Sequence, residues 1–434
     1  KRENTLKANA LAYEKRNFCS ASAGWHPDVD IEVMHVVDEF FESYVDSRKF
    51  AETCADPVTT NSVELCEWFN TRTPMGKGGL LKELEAPDVI STGLNRFKLM
   101  VKSKVKFKID NEALEEFPAG QNIVFHNRFI CAHFSHVFCE LVQRLRCILH
   151  PNIILFNGLS FEAFANILDA ALDNCPITDF FCNEIDISKY DKSQGTFTKA
   201  VELEIYRRLG LSEEILNMWA ASEFYGRAVT SNKSFSAEVF AQRRTGAANT
   251  WIGNTLINMA LLAQSTNVKN FQALCFAGDD SLLLARQDSQ IQFDTYDLKY
   301  EFDVKYFENA ATYFCAKFLI HAEGKTHVMP DPLKLFIKFG IERPKEDSVL
   351  IEQWRSFLDI TKSFTSETAL RQLCIQLQKK YGEHPSMYAA LCSVNALRSN
   401  PEQFKRLWFG LYTSETSSLK FVRERFKDRG KHTT

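Results

Sequence analysis

Apolar residues recur at helical spacing in several parts of the chain. Over 31–45 they recur every three or four positions, which predicts an amphipathic helix whose apolar face carries Ile31, Met34, Val37, Phe41 and Tyr44. The same spacing predicts helices over 130–150, 197–209 and 247–263. Beyond residue 332 the pattern is almost entirely helical, with helices predicted over 352–364, 367–380, 386–397 and 401–411.

A different pattern occupies 96–109, where charged and apolar residues alternate. As a strand, this segment places lysines on one face and Val101, Val105, Phe107 and Ile109 on the other. A row of cations favours contact with phosphate groups, and an ordinary solvated strand face is the alternative. The lysines of the row are Lys98, Lys102, Lys104, Lys106 and Lys108.

Two acidic residues lie at the turn of an apolar hairpin predicted over 273–285. Gly278-Asp279-Asp280 interrupts two apolar runs, and Gly-Asp tolerates the backbone angles of a tight turn. Carboxylates held by stiff apolar strands invite a divalent cation. Upstream, Asp186 ends a buried strand predicted over 178–187, and Asp191 follows it by one turn.

These acids fit phosphoryl transfer by two metal ions. That chemistry needs two carboxylates from separate chain elements, which hold cations ~3.5–4 Å apart. Asp186 and Asp279 meet if their strands are neighbours. Asp280 then supplies a second ligand from the hairpin, and the backbone carbonyl of Ile187 supplies a further oxygen. We expect Asp191 to lie beside the metals and to recognise the ribose hydroxyls.

Polar residues between the two acidic elements indicate where a sugar is recognised. Thr250 and Asn254 lie one turn apart on the helix predicted over 247–263, and Thr245 and Gly246 lie in the loop before it. A site that hydrogen-bonds the 2′-hydroxyl rejects a deoxy substrate, because its buried polar groups would be left unpaired. The alternative for Thr250 and Asn254 is a polar helix face with internal hydrogen bonds.

Composition narrows the class of protein. The 434 residues suffice for about two to three domains or one multi-lobed enzyme, and 45% hydrophobic with 25% charged residues is ordinary for a globular protein. The formal net charge is −3, so any positive charge that binds RNA must be concentrated in a channel. The 36 phenylalanines indicate core packing in preference to base stacking. No signal peptide is found, and no apolar run reaches the ~18 residues of a membrane span.

The cysteines indicate a reducing compartment. Twelve occur without a Cys-x2-Cys pair, as in a cytosolic protein with reduced thiols. Cys131, His133, His136 and Cys139 have zinc-ligand chemistry, but a single helix does not converge four such side chains, so helix packing is the preferred interpretation. The basic segment 420–431 is either solvated or in contact with RNA.

Taken together, these segments resemble the motifs of the RNA-dependent RNA polymerases of the alphavirus-like superfamily of positive-strand RNA viruses. The likeness is to the tobamovirus, bromovirus and closterovirus branch, and closteroviruses are the most similar. It covers roughly 15–340. The matching segments are 100–110 (MVKSKVKFKID) with 120–126 (GQNIVFH) for motif F, 184–194 (EIDISKYDKSQ) for A, 244–255 (RTGAANTWIGNT) for B, 275–283 (CFAGDDSLL) for C, 300–306 (YEFDVKY) for D, and 331–334 (DPLK) near E.

The resemblance implies an α+β right-hand fold. Fingers, a palm with an antiparallel sheet and a helical thumb are expected, with an N-terminal region and fingers over 1–180. The palm is expected over 181–345, with an interleaved fingers segment at about 210–242. The thumb and basic tail are expected over 346–434, where no motif is matched and the assignment rests on position. Such enzymes use two Mg²⁺ ions, for which Mn²⁺ can substitute.

The resemblance also implies roles for individual residues. Asp186, Asp279 and Asp280 are the catalytic acids, and Lys305 matches a motif D lysine proposed to protonate the leaving pyrophosphate. Around the nucleotide, contacts are expected from Lys102, Lys104, Lys106 and Arg128, and RNA contacts from Lys334 and Lys338. Many relatives carry an Arg-Asp or Lys-Asp pair where this chain has Ser103-Lys104, so the triphosphate contact shifts to Lys102, Lys104 or Arg128.

Partners and location follow from the resemblance alone. The implied partners are an RNA template, the nascent strand, nucleoside triphosphates and a viral helicase and capping replicase protein. Replication complexes at host membranes in the cytoplasm are the expected location, with membrane association only through those partners. The implied activity is template-directed nucleotidyl transfer to an RNA 3′ end, for genome replication and transcription.

Two alternative functions are considered. A reverse transcriptase or DNA polymerase shares the palm but predicts a bulky steric gate near Asp191, and this chain has Ser188-Lys189-Tyr190 there and Asn254 available for a ribose contact. A non-catalytic RNA-binding scaffold would have no reason to retain intact acids, since clustered like charges are costly without a metal.

Overall fold

The computed structural model describes residues 5–16, 28–84, 93–102, 120–289, 291–292, 302–307, 311–341, 347–385 and 387–409. Helices and sheets are mixed along the chain, so the predicted α+β class is confirmed. The strands are β1 Arg96–Val101, β2 Asn122–Phe125, β3 Ile153–Leu155, β4 Phe181–Ile187, β5 Tyr225–Thr230, β6 Ser236–Phe240, β7 Ala273–Ala277, β8 Asp280–Ala285, β9 Val304–Phe307, β10 Tyr313–Phe314, β11 Lys317–Ala322 and β12 Lys325–Pro330.

The helices agree with the predicted ones to within a few residues where both exist. They are α1 Leu6–Arg16, α2 Val29–Tyr44, α3 Ser47–Thr53, α4 Ser62–Asn70, α5 Pro74–Leu84, α6 Arg128–Ile148, α7 Phe161–Ala171, α8 Tyr190–Ser193, α9 Thr196–Arg208, α10 Glu213–Phe224, α11 Thr250–Ser265, α12 Pro332–Ile341, α13 Asp347–Ile360, α14 Glu367–Tyr381, α15 Met387–Ser399 and α16 Pro401–Phe409. None of the helices in the described ranges is long and apolar enough to cross a membrane.

A five-stranded sheet carries the acidic segments. Its strand order is β3-β7-β8-β4-β9, with β3 parallel to β7 and every other pair antiparallel. The residues of β8 from Ser281 to Ala285 are buried, and so is every residue of α11 from Ile252 to Ala263. Because burial of one large aliphatic side chain contributes roughly 1.5–3 kcal/mol, this core holds the sheet and α11 firmly in place.

A second sheet contains the alternating segment. Its order is β2-β1-β5-β6, and along β1 exposed and buried residues alternate from Arg96 to Val101, as the pattern predicted. Phe97 and Leu99 pack in a small core with Val124, Ala228 and Val239. Strand β1 ends at Val101. The later lysines of the row (Lys104, Lys106 and Lys108) lie outside the described residues.

The apolar face predicted for α2 is partly wrong. The helix is present, but Ile31 and Met34 are 72% and 43% exposed. The buried stripe instead contains Val33, Val36, Val37, Phe40 and Tyr44. Residues two positions apart on a helix lie about 200° apart around its axis, so a stripe that includes Val33 turns Ile31 to the solvent.

The chain divides into two compact units, 1–310 and 311–434. The second contains a three-stranded sheet, β10-β11-β12, and the helices predicted after residue 332. The division falls earlier than the boundary at 345/346 expected from the resemblance. The assignment of fingers, palm and thumb to 1–180, 181–345 and 346–434 remains a prediction.

A buried histidine gives the first unit a predicted pH dependence. His126 is 1% exposed, its ring lies 4.3 Å from that of Phe97, and its Nε2 is 2.9 Å from the Leu94 carbonyl. Burial lowers the pKa of His126 to about 4, against about 6.5 for an unfolded chain. Since the unfolded state then binds more protons between these values, stability is lost as the pH falls through this window.

We expect wild-type protein to lose about 2 kcal/mol more than a His126→Phe variant between pH 7 and pH 5. Phenylalanine keeps a ring beside Phe97 but removes the titrating group. Urea unfolding at both pH values measures the difference. Equal losses for the two proteins would show that the pKa of His126 is not lowered in the folded protein.

Candidate functional site

A tight turn presents the acidic pair as predicted. Strands β7 and β8 are joined by Gly278 and Asp279, with Ala277 paired to Asp280. Gly278 has φ +68°, a value that favours glycine at the first central position of a two-residue hairpin loop. Asp279 and Asp280 are both exposed. The predicted hairpin and the position of its carboxylates are therefore confirmed.

Asp186 lies on the neighbouring strand. In the β4–β8 register Ile185 pairs with Ser281, so the next residues along the two strands, Asp186 and Asp280, come opposite one another. On the other side of β4, Asp186 pairs with Lys305 of β9. Residues opposite each other in an antiparallel pair share a face of the sheet. Catalytic candidates from three strands thus meet at one end of the sheet.

Electrostatic coupling supports this clustering. Although Asp279 is exposed in part, removal of its carboxyl from water raises its pKa, and the charges of Asp280, Asp191 and Asp186 raise it further, to about 6. Repulsion among carboxylates is relieved by a bound cation. Oxygen ligands from Asp are also what Mg²⁺ prefers, so this donor set fits a divalent metal.

The acidic side chains lie near one another but are not arranged around a single point. Within the described ranges, no three His, Cys, Asp or Glu side chains are arranged to hold one metal ion. Cys131, His133, His136 and Cys139 all lie on α6, and they form no such group. His136 is 3% exposed, and its Nε2 accepts a hydrogen bond from the Asn61 N–H at 3.2 Å.

Helix α11 holds the acidic turn through residues that the sequence reasoning missed. Thr255 Oγ1 accepts a hydrogen bond from the Gly278 N–H at 2.9 Å. Asn258 Nδ2 donates to the Gly278 and Asp279 carbonyls at 3.2 and 3.3 Å. Thr255 and Asn258, at 0% and 1% exposure, are polar residues among the apolar residues of 255–263, and that contrast is the signal that could have identified them.

The residues predicted to contact ribose are hydrogen-bonded within the protein. Asn254 Nδ2 donates to Asp191 Oδ1 at 3.0 Å, so these two candidates are brought together. Thr250 Oγ1 instead lies 2.9 Å from the Arg244 carbonyl and 2.8 Å from that of Ala247. Internal hydrogen bonds, the alternative considered from the sequence, are therefore present at Thr250 and Asn254.

Thr245 and Gly246 connect this region to β2. Thr245 Oγ1 donates to the Asn122 carbonyl at 3.1 Å and accepts from the Val124 N–H at 3.3 Å. The Gly246 N–H donates to the Val124 carbonyl at 2.9 Å. A Cβ on Gly246 would lie 2.8 Å from that of Phe125, so a side chain here would push the loop away from β2.

Comparison with known proteins decides the family. Residues 1–407 match the family model described as RNA dependent RNA polymerase. The chain belongs to the RNA-dependent RNA polymerase family. This confirms the activity class and the viral family expected from the motifs.

Curated relatives of the polymerase are viral replicases. The chain is 36% identical to the Replicase polyprotein 1ab of Grapevine leafroll-associated virus 3, in an alignment that covers 94% of this chain. It is 32% identical to the Replicase polyprotein 1ab of Beet yellows virus, in an alignment that covers 98% of this chain. Over 86% it is 32% identical to the Replicase large subunit of Tomato brown rugose fruit virus. The chain spans only 15%, 14% and 23% of these relatives' lengths.

The residues of the polymerase predicted to contact the nucleotide phosphates lie on different elements. Lys102 is exposed just after β1, and Arg128 begins α6. Arg128 lines a recess of about 410 Å³ together with Trp68, Arg72, Met100, Phe125 and Gly246. Lys104 and Lys106 lie outside the described residues.

The predicted RNA contacts belong to the second unit of the polymerase. Lys334 is exposed and donates to the Tyr313 hydroxyl at 2.6 Å. Lys338 lies on α12, four residues further along that helix. Their contact with RNA remains a prediction.

Proposed function

We propose that this polymerase adds ribonucleotides to an RNA 3′ end by a two-metal mechanism. The observation that carries the proposal is the pairing of strands β4, β8 and β9, which brings Asp186, Asp280 and Lys305 together beside Asp279. The mutual repulsion that raises the pKa of Asp279 supports a role for this cluster in binding cations.

Asp186, Asp279 and Asp280 would hold two Mg²⁺ ions, with Mn²⁺ able to substitute and the Ile187 carbonyl as a further ligand. When bound, the metals would stabilise charge on the attacking and leaving oxygens. The residues themselves bring carboxylates from two strands to one edge. Thr255 and Asn258 hold the turn through the backbone groups of Gly278 and Asp279.

Ribose recognition would fall to Asp191 and Asn254. The Asn254 Oδ1 already accepts two hydrogen bonds at 2.8 Å, from Gln194 and Arg243, so the amide group has only N–H donors to offer a ligand. Asp191 is an acceptor. A hydroxyl both donates and accepts, and such a pair therefore complements a 2′-hydroxyl.

Asn254→Ala is expected to reduce the preference for ribonucleotides over deoxyribonucleotides about tenfold, because the hydroxyl loses a donor and Asp191 loses its partner. The ratio of kcat/KM for a ribonucleotide to that for its deoxy analogue measures the effect. An unchanged ratio would remove Asn254 from sugar recognition.

Lys305 would be the general acid. Lys305→Leu is expected to lower kcat about a hundredfold with little change in KM, since proton donation by a positioned side chain accelerates a reaction by about a hundredfold or more. Single-turnover kinetics separate the two effects. Lys305→Arg, which keeps the charge but holds its proton more tightly, should also be slow. A raised KM with normal kcat would make Lys305 a binding residue.

The remaining contacts would involve phosphate groups. Lys102, Lys104, Lys106 and Arg128 would bind the triphosphate, and Lys334 and Lys338 would contact RNA. Exposure of Lys102, Arg128 and Lys334 supports these roles.

The right-hand arrangement is part of the proposal. The five-stranded sheet would be the palm over 181–345. Strand β5 pairs with β1, and β6 pairs with β5, so both belong to the second sheet, which supports an interleaved fingers segment at about 210–242. The second unit contains the helices expected for a thumb over 346–434.

A viral helicase and capping replicase protein would be partners, because the relatives are much longer replicases. Replication complexes at host membranes in the cytoplasm would be the location.

Extension of a short RNA primer on an RNA template, with Mg²⁺ and labelled ribonucleotides, tests the proposal. We expect products whose sequence follows the template and which disappear when the metal is chelated. Preferential use of deoxyribonucleotides would favour a DNA polymerase or reverse transcriptase. Folded protein that binds RNA but makes no product would favour a scaffold.

A further inference from the structure

A fully buried group of charged side chains lies behind the ribose candidates. Lys199, Glu202 and Arg243 are each 0–1% exposed, and Glu223 and Arg244 are 2% and 1% exposed. Charged residues are rarely buried unless they are paired. None of them was predicted as a site residue, and they form ion pairs with one another.

Arg243 is the member of the group that reaches the ribose candidates. Its Nη1 and Nη2 donate to the two Glu202 carboxylate oxygens at 2.9 and 2.7 Å. Its Nε donates to Asn254 Oδ1 at 2.8 Å, and its backbone N–H donates to the Asp191 carbonyl at 3.3 Å. One residue therefore contacts both Asn254 and Asp191 while its charge is neutralised by Glu202.

Gln194 completes the environment of the Asn254 amide. Its Nε2 donates to the same Asn254 Oδ1 at 2.8 Å, and Gln194 is 1% exposed. An arginine Nε is always a donor, so the atom facing it must be the amide oxygen. With the oxygen fixed between Arg243 and Gln194, the Asn254 NH₂ group can only face Asp191.

We propose that Arg243 and Gln194 are positioning residues that set the orientation of the Asn254 amide and the place of Asp191, and so determine selection of the sugar. The inference rests on the proposed ribose role of Asp191 and Asn254. A rotated Asn254 amide would place an acceptor against the Asp191 carboxylate. It would then offer the 2′-hydroxyl no donor.

The close packing around the Arg243 guanidinium leaves this side chain little freedom to move. A Cβ on Gly253 would lie 2.2 Å from Glu202 Oε1 and 2.5 Å from Arg243 Nη1. Glu202 also accepts from Tyr206 Oη and Asn249 Nδ2, both at 2.6 Å. Because its carboxylate is held from several directions, the guanidinium that it binds cannot swing away from Asn254.

Arg243→Lys and Gln194→Met test the proposal. Lysine keeps a positive charge for Glu202 but has no Nε–H for Asn254, and methionine removes the Gln194 donor at similar volume. The matched controls are Arg244→Lys and Gln242→Met. Arg244 is a buried arginine that donates to the Glu223 and Gln242 carbonyls, and Gln242 is a buried glutamine that donates to the Lys192 carbonyl at 3.5 Å.

The readout is the ratio of kcat/KM for a ribonucleotide to that for its deoxy analogue. We expect it to fall about tenfold for Arg243→Lys and about threefold to tenfold for Gln194→Met, and to stay unchanged in both controls. A purely structural loss lowers the active fraction for both nucleotides equally and leaves the ratio unchanged. Thermal unfolding of each variant shows that it is folded.

The outcomes separate this inference from the proposed function. If Asn254→Ala lowers the ratio while folded Arg243→Lys and Gln194→Met do not, the ribose role stands and the positioning role is overturned. If Asn254→Ala leaves the ratio unchanged, the proposed ribose role itself fails. Equal losses in Gln194→Met and Gln242→Met would also overturn the positioning role.

Discussion

Asp279→Asn is expected to lower the rate of nucleotide addition more than a thousandfold, which corresponds to about 4 kcal/mol of transition-state stabilisation. Asparagine has nearly the same shape, and the backbone of residue 279 is held by Asn258. The fold should therefore persist. Burial and then the neighbouring carboxylates raise the pKa of Asp279 to about 6, and loss of the charge would remove a proposed metal ligand and relieve that repulsion. The measurement is primer extension under single-turnover conditions, with the unfolding temperature recorded beside it.

Asp173→Asn is a matched control for that change. Asp173 is an exposed aspartate outside the acidic turn, and its φ of +55° is one that asparagine also adopts readily. Wild-type rates are expected for this variant. Extension by Asp279→Asn at more than a tenth of the wild-type rate would exclude Asp279 as an essential metal ligand.

Glu202→Gln is expected to destabilise the protein by about 3–5 kcal/mol, since it leaves the buried Arg243 without the carboxylate that pairs with it. Burial alone would raise the pKa of Glu202, but the charges of Arg243 and Lys199 lower it to about 2, so the residue is ionised in the folded protein. Glutamine preserves the volume of the side chain. The loss would therefore be electrostatic and would not arise from a cavity.

Glu204→Gln on the same helix is the control. Glu204 forms ion pairs with Arg207 and Arg208, which are 48% and 24% exposed. Glu204 is 14% exposed and its arginine partners reach the solvent, and such pairs contribute about 0–1 kcal/mol, so the two variants should differ by at least about 2 kcal/mol in urea unfolding. Similar losses for both would show that the buried ion pair adds little to stability.

Local pattern was sufficient to predict the elements that carry the acids. The hairpin, the neighbouring strand with Asp186 and the helix after Gly246 each have a strong signal within a short window, because turn residues and apolar runs act locally. The meeting of Asp186 and Asp279 was expected only on the condition that their strands were neighbours, and the structure fixes the register in which β4 pairs with β8. That register depends on the whole sheet.

The contacts behind the site could not be predicted from the sequence. Arg243 and Glu202 are 41 residues apart, and a charged residue in a single sequence is most simply placed on the surface. Only the assembled helices α9, α10 and α11 exclude water from the group. The face of α2 was misjudged for a related reason, since Ile31 is as apolar as Val33 and the neighbouring elements decide which of them is buried.

One helix would serve both the sugar and the metals of the proposed site. On α11, Asn254 reaches Asp191, while Thr255 and Asn258 hold the turn that contains Asp279. A shift of this helix would move the amide and the acidic turn together. Substitutions that loosen sugar choice by displacing α11 should therefore also slow synthesis, whereas those confined to the amide environment would not. Accuracy and speed would thereby be linked in this polymerase, and lineages under selection for one would be limited in how they alter the other.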